Sequence, residues 1–163
     1  MKTITKVLTV ISLAILYSCS GTQSLTKDGT PIPYNVNTII VQDDKEIDAS
    51  YKSFAQHLLQ DGYSIKYSDE TLHTLTTSYK NASKKGTDIS TDVSISAAFS
   101  EDGESTKIII RGTGKQGFII GGADLGILTI SHTGMSGSLA RVAWDEMLSI
   151  SQSYSSELLF EIR

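Results

Sequence analysis

A glycine-rich segment in the last third of the chain has the spacing of a nucleotide-binding loop. Gly112, Gly114 and Gly117 form a G-x-G-x-x-G pattern after an apolar run, which is where a dinucleotide fingerprint would stand. Such a loop needs a helix N-terminus facing the pyrophosphate, and residues 118–122 cannot start a convincing helix. The acidic residue expected about 20 positions further on is also missing. We therefore interpret these glycines as flexible turns or bulges.

Three acids at alternate positions imitate the opening of a calcium-binding loop. Asp44, Glu46 and Asp48 have the EF-hand spacing, but Ala49 and Ala55 occupy the positions that require Gly and Glu. Acids in the first turn of a helix interact favourably with its dipole. We expect the acids to mark the start of a helix.

The histidines and serines do not form a catalytic or metal-binding pattern. His57, His73 and His132 lack the close pairing of typical zinc sites, so we expect no shared metal site. The Gly-x-Ser-x-Ser run ending at Ser138 resembles a nucleophile elbow but lacks the final glycine. Ser136 or Ser138 is more simply the cap of a following helix. The sequence thus predicts a protein that is not an enzyme and has no cofactor.

The N-terminus is organised as an export signal. Lys2 and Lys6 form a short positive region, and residues 7–16 are apolar apart from two small hydroxyl residues. This run falls short of the roughly 20 apolar residues that a membrane-spanning helix needs. We expect residues 1–18 to be a cleaved signal peptide.

The four residues at the end of this signal are Leu16, Tyr17, Ser18 and Cys19. They resemble the lipobox of bacterial lipoproteins, which asks for Leu, a tolerant position, a small residue and Cys. The resemblance implies cleavage between Ser18 and Cys19 and lipid attachment to the Cys19 thiol. Because Cys19 is the only cysteine, no internal disulfide can form, and lipidation accounts for a lone thiol in an exported chain.

The composition limits the class of partner. Removal of residues 1–18 takes away two lysines and no acid, which changes the net charge from −4 to −6. An acidic chain without a basic cluster in sequence repels phosphate backbones, so we expect no nucleic-acid binding. The remaining length suits a single domain.

The residues after Cys19 predict a tether. Residues 19–37 are mostly polar and contain both prolines, so we expect a lipidated, flexible N-terminal segment followed by one domain over residues 38–163. Ser20 after the cysteine favours the outer membrane by the sorting rule of enterobacterial lipoproteins. A position facing the periplasm is the expectation.

Two apolar stripes with helical spacing frame the domain. The first stripe predicts a helix with Asp48 as N-cap and Gly62 as C-terminal cap, and it contains Tyr51, Phe54, Ala55, Leu58 and Leu59. The second begins near Leu139 and contains Leu139, Val142, Ala143, Met147, Ile150 and Tyr154, with Trp144 beside it. His57 lies off the first stripe, so we expect it to be solvated.

The remaining apolar segments predict strands. Residues 38–42, 63–67, 71–79, 126–130 and 158–162 are candidate strands, and residues 81–91 a loop. The strand over 93–99 joins one over 106–111 through a turn at Asp102 and Gly103. The order predicts an α+β fold, an antiparallel sheet of about five to seven strands with two helices on one face (β-α-β-meander-α-β).

The segment over residues 45–80 looks like the small domains of BamC-type outer-membrane assembly lipoproteins. The similar features are a helix that ends at Asp61 and Gly62, the strand over 63–67 and a hydroxyl-rich strand after it, with an echo at 139–151. The resemblance implies an architecture and transfers no functional residue.

Three functional hypotheses follow from the sequence. The first is a noncatalytic envelope lipoprotein that binds envelope proteins or peptides and is held on the membrane by the Cys19 lipid. The second is a periplasmic lipoprotein that binds a small ligand, with residues 112–126 as a lid. The third is a hydrolase built from dispersed Ser, His and Asp residues, which only side-chain geometry could support.

Overall fold

The predicted α+β class is confirmed by a computed structural model, which describes residues 26, 29–82, 89–118, 124–133 and 138–163. An eight-stranded antiparallel sheet packs against two helices. The strand count exceeds the predicted range because a two-residue strand adds to the sheet. The elements are β1 (Thr38–Asp43), α1 (Ile47–Gln60), β2 (Ile65–Asp69), β3 (Thr74–Thr77), β4 (Lys80–Asn81), β5 (Ile89–Asp102), β6 (Ser105–Phe118), β7 (Asp124–Thr129), α2 (Leu139–Tyr154) and β8 (Leu158–Glu161).

A long hairpin of β5 and β6 forms the centre of the sheet. The two strands pair over their full length, from Ile89 opposite Phe118 to Asp102 opposite Ser105. Gly103 has a φ of +67° at the first loop position, the pattern of a type II′ turn, which matches the twist of the two strands. The predicted turn is confirmed, although β5 begins inside the predicted loop over 81–91.

Short strands extend the hairpin on both sides. The sheet order is β2-β3-β5-β6-β1-β8, with β4 pairing to β5 and β7 to β6. β1 and β7 occupy successive stretches of the same edge of β6. The hairpin therefore fixes the register of strands that are distant in sequence.

Helix α1 follows the predicted apolar stripe with two corrections. Tyr51, Phe54 and Leu58 are buried, whereas Leu59 is 54% exposed. Glu46, rather than the predicted Asp48, is the N-cap residue. At the other end Gly62 has a φ of +82°, and the amides of residues 62 and 63 donate to the carbonyls of residues 59 and 58. These two bonds form the Schellman motif that the glycine predicted.

Helix α2 lies directly on the backbone of β6. Ser138 is its N-cap and its hydroxyl accepts from the amide of Arg141 at 3.3 Å. A Cβ at Gly112 would lie 2.7 Å from Ile130 Cδ1 and 3.1 Å from Met147 Sδ. Gly112 and Gly114 are thus regular strand residues that permit close packing, and the prediction of flexible turns is wrong for them. The register between β6 and β7 shifts between Lys115 and Gly117, but the extra residue is in β7, and β6 stays in unbroken register with β5.

A bulge in the edge strand β2 changes which side chains face the helices. Ile65 pairs with Thr77, but the register shifts so that Tyr67 pairs with Thr76. A one-residue shift moves a side chain to the opposite face of a sheet. Tyr67 is consequently 53% exposed. Regular alternation along the predicted strand over 63–67 would place residues 63, 65 and 67 on one face, and the bulge moves Tyr67 to the other.

The domain begins earlier than predicted. The chain divides after Pro31, and Ile32 and Val36 are buried in the hydrophobic core. The amide of Asn35 donates to His132 O at 3.0 Å, and the amide of His132 donates to Val36 O at 2.7 Å. Residues 32–37 therefore belong to the domain, in contrast to the predicted tether.

Several sequence predictions fall on residues outside the described ranges. These are the signal peptide over 1–18, the cleavage and lipidation residues Ser18 and Cys19, and Ser136. Among the described residues, no helix has the length and apolar character required to cross a membrane.

Candidate functional site

The alternation of side chains along the strands gives the sheet two different faces. The residues facing α1 and α2 are the core, and on the central hairpin these are Val93, Ile95, Ala97, Phe99, Ile108 and Ile110. The residues between them point to the opposite side, which no helix covers in the described part of the chain. We call this side the open face.

A shallow groove runs along β5 on the open face. Ser96 and Ala98 are paired on one side with Thr76 and Thr74 of β3. On the other side they are paired with Arg111 and Ile109 of β6. The two β5 residues are shorter than most of their neighbours, and the resulting depression has a volume of about 160 Å³. We call it the β5 groove, lined by Thr74, Leu75, Thr76, Ser96, Ala97, Ala98, Ile109 and Arg111.

The dimensions of the β5 groove suit one extended chain. Neighbouring strands lie about 4.8 Å apart, so β3 and β6, which flank β5, are separated by about 10 Å. The hydroxyl of Tyr79 lies 3.3 Å from Thr113 Oγ1 on β6. Since Tyr79 must reach over β5 to make this contact, it limits the groove at that end.

An apolar row crosses the open face beside the groove. Leu159 of β8 pairs with Ile40 of β1, Ile40 with Ile109, and Ile109 with Ala98. Leu159 is 58% exposed, whereas Ile40 is buried. The apolar surface that this face offers is therefore that of Leu159 and part of Ile109 and Ala98, next to the hydroxyl groups of the groove.

Two cations on the open face have no acidic partner among the residues that the structure describes. Lys107 and Arg111 make no ion pair in the described part of the chain, and the one hydrogen bond of Arg111 is from Nε to Thr38 Oγ1 at 3.3 Å. The carboxylates on this face are bonded to other donors: Asp69 to Tyr67, Asp92 to Asn81, Asp102 to Gln42, and Glu161 to Arg163. Most of the Arg111 guanidinium is thus available to a ligand.

The contacts of His57 do not form a hydrolytic triad. His57 Nε2 lies 3.0 Å from Ser153 Oγ, 3.2 Å from Ile150 O and 3.5 Å from Asp61 Oδ2. A triad requires the acid on one ring nitrogen and the serine on the other. Here all three groups share one nitrogen, so the arrangement joins the helices and cannot activate Ser153. The prediction that His57 is solvated is wrong.

The other two histidines have separate structural roles. His73 lies in the turn before β3 with a φ of +46°, and its Nε2 bonds to Asp48 Oδ1 at 2.8 Å. The prediction of a strand position for His73 is therefore wrong. His132 is buried beside Trp144, and its Nδ1 contacts Pro33 O at 2.8 Å. Within the described ranges, no three His, Cys, Asp or Glu side chains are grouped to hold a metal ion.

One buried and one partly buried phenol, those of Tyr63 and Tyr154, connect the elements of the domain. Tyr63 donates to Glu146 Oε1 at 3.1 Å, and Lys80 Nζ bonds to the same oxygen at 3.1 Å. Burial, together with the nearby carboxylate, raises the pKa of Tyr63 well above its ordinary value. Burial and a hydrogen bond to Asp43 likewise raise the pKa of Tyr154. Both phenols therefore remain neutral hydrogen-bond donors at ordinary pH.

An acidic hollow of about 430 Å³ lies where α1 begins beside the β5–β6 turn. Its lining includes Glu46, Asp48, Glu101 and Glu104. Asp48 lies in the first turn of α1 and Glu46 is its N-cap residue, as expected for acids at a helix start, whereas Asp44 precedes the helix.

The sequence reasoning missed the β5 groove and its cations. The alternate residues of β6, Lys107, Ile109 and Arg111, and the small alternate residues of β5, Ser96 and Ala98, contain the signal. Reading these two strands side by side in the register of the predicted turn would have found the groove.

No protein-family model matches the chain, and neither does any curated protein. The function must therefore be argued from the residues and their geometry.

Proposed function

We propose that the chain is the precursor of a bacterial lipoprotein, anchored through lipid on Cys19, whose domain binds other envelope proteins or peptides without catalysis. The open face carries this proposal, because one side of a long sheet presents a groove, an apolar row and unpaired cations. The lipobox-like residues from Leu16 to Cys19 support the anchor. We place the protein on the outer membrane, facing the periplasm.

The open face favours a protein segment over a small molecule. Small-ligand sites enclose most of the ligand surface. The β5 groove is open along its length and about as wide as an extended chain. Moreover, residues 112–118 lie in β6, so they do not form the lid of the small-ligand hypothesis.

The anchor is tested by intact mass and membrane fractionation of the native protein beside a Cys19→Ser variant. We expect a mature mass that begins at Cys19 with added acyl groups, and loss of membrane association in the variant. A secreted chain without lipid would contradict the anchor.

The binding face is tested by blocking the groove. Ala98→Trp places a large ring on the groove floor, whereas Gln56→Trp places the same ring on an exposed position of α1. After chemical cross-linking in cells, we expect cross-linked species of the wild type to persist in the Gln56 variant and to disappear in the Ala98 variant. Equal cross-linking in both variants would exclude the groove as the binding site.

A further inference from the structure

We infer that the partner segment of the open face is an extended acidic peptide with the pattern acidic-x-apolar-x-acidic, held by Lys107, Ile109 and Arg111. This inference rests on the proposed function and adds the chemistry of the partner. It follows from the positions of the two cations, the apolar residue between them and the groove beside them.

The spacing of the pattern comes from the geometry of β6. Lys107, Ile109 and Arg111 alternate with Ile108 and Ile110, which are buried in the core, so they point to the open face. Lys107 and Ile109 are paired with Gln42 and Ile40 of β1. Alternate residues of a strand are about 7 Å apart. A partner in extended conformation repeats the same distance, so its side chains at positions i, i+2 and i+4 can face the three β6 residues.

The sign of the partner charge follows from the unpaired cations. The chain has a net charge of −4, and yet neither Lys107 nor Arg111 has a carboxylate partner within the described residues. A guanidinium with free N–H groups binds a carboxylate through two parallel hydrogen bonds. An acidic side chain of the partner would satisfy these donors.

The middle position of the pattern is apolar because Ile109 lies between the cations. Ile109 is partly buried and borders the groove with Ala98. A β-branched or leucine side chain of the partner would cover both residues and remove apolar surface from water. Position i+2 therefore contributes hydrophobic contact, and positions i and i+4 contribute charge.

The test uses the purified full-length protein in detergent and fluorescein-labelled peptides with the core Glu-Thr-Val-Thr-Glu. One control peptide replaces both acids by Gln. A second rearranges the same residues to Glu-Glu-Val-Thr-Thr, so that one acid points away from the sheet. We expect anisotropy to show saturable binding of the first peptide, at least about tenfold tighter than of either control, and weaker binding at higher ionic strength.

Variants of the protein test whether Arg111 binds the acidic peptide. Arg111→Gln should raise the Kd for the acidic peptide about tenfold or more, and Arg111→Lys should have a smaller effect because it keeps the charge without the planar fork. Lys52→Gln removes one exposed charge from α1 and should leave the Kd unchanged. Thermal unfolding of each variant verifies that the fold is retained.

Two outcomes would overturn the inference: equal binding of the acidic and Gln peptides, or no effect of Arg111→Gln in a folded protein. Failure of the inference is distinguishable from failure of the proposed function. If the Ala98→Trp block still removes cross-links in cells while the acidic peptide does not bind, the open face binds a partner of different chemistry.

Discussion

The helix-covered face and the open face of the sheet are formed by the same strands, but their side chains have different roles. On the covered face, aromatic and branched residues interlock with two helices, and Phe54, Trp144 and Met147 have no exposed surface. On the open face, small and hydroxyl residues of β5 lie beside Lys107 and Arg111 of β6, which have no ion pair among the described residues. The comparison indicates that the covered face contributes most of the folding free energy and that the open face is available for recognition.

The largest difference in the free energy of unfolding is expected from truncating one aromatic residue that packs against the covered face and one on the open face. Phe54→Ala removes a ring that packs on Phe99 and Tyr154 at centroid distances of 6.0 and 5.1 Å. We expect a loss of about 3–5 kcal/mol in the free energy of unfolding, measured by urea denaturation. Tyr67→Ala on the open face should cost less than about 1 kcal/mol. Similar losses in both variants would mean that the open face also supports the fold.

A second comparison places valine at two adjacent residues of β6 that point to opposite faces. Gly112→Val introduces atoms where a Cβ alone would lie 2.7 Å from Ile130, so we expect a loss of about 2–3 kcal/mol. Thr113→Val on the open face loses only the exposed 3.3 Å contact with the Tyr79 hydroxyl and should cost less than about 1 kcal/mol. A well-tolerated Gly112→Val would show that α2 does not pack as closely as described.

A third prediction concerns the pH dependence of a contact on the covered side. Partial burial raises the pKa of Asp43, but the hydroxyl of Tyr154 and the ammonium of Lys45 outweigh this and hold the pKa below its ordinary value of 3.8. Because the folded-state pKa is lowered, the stabilisation is present above the ordinary pKa and is lost as the pH falls through the lowered value.

We therefore expect Asp43→Asn to reduce the free energy of unfolding by about 1 kcal/mol near neutral pH. The difference from the wild type should shrink progressively below about pH 4. Asp44→Asn, which alters an exposed neighbour, is the matched control. A pH-independent difference for Asp43→Asn would show that its ionised form is not favoured by folding.

The smallest expected effect on stability is that of replacing Arg111, the residue with the largest proposed role in binding. Arg111 is exposed and its side chain makes one hydrogen bond among the described residues, so Arg111→Gln should change the free energy of unfolding by no more than about 0.5 kcal/mol. Denaturation beside the wild type measures this. A loss above about 2 kcal/mol would assign Arg111 to the fold.

The sequence predicts the elements whose patterns are strongly periodic and misses what depends on tertiary contacts. The central hairpin, both helices and the Gly62 cap follow from spacing and turn chemistry. The burial of His57 against α2 was not predicted because it depends on a second element, as does the close packing on Gly112. The change of face at Tyr67 comes from a bulge, and the sequence of β2 contains no glycine or proline that would predict it.

The candidate site was less predictable than the fold for a related reason. A groove is defined by side chains from neighbouring strands, so Ser96 and Ala98 become informative only in register with Arg111 and Thr76. The start of the domain was missed because Ile32 and Val36 are isolated apolar residues among polar ones, and their burial depends on contacts with distant residues.

The most direct test of the binding role of the open face places a photo-cross-linking amino acid at Thr76, beside the β5 groove, or at Gln56 on the exposed side of α1. Each variant is irradiated in intact cells and its adducts are compared. The account predicts a discrete adduct with an envelope protein from position 76 and none from position 56. Adducts from position 56 alone would contradict the account and assign binding to the helix-covered side.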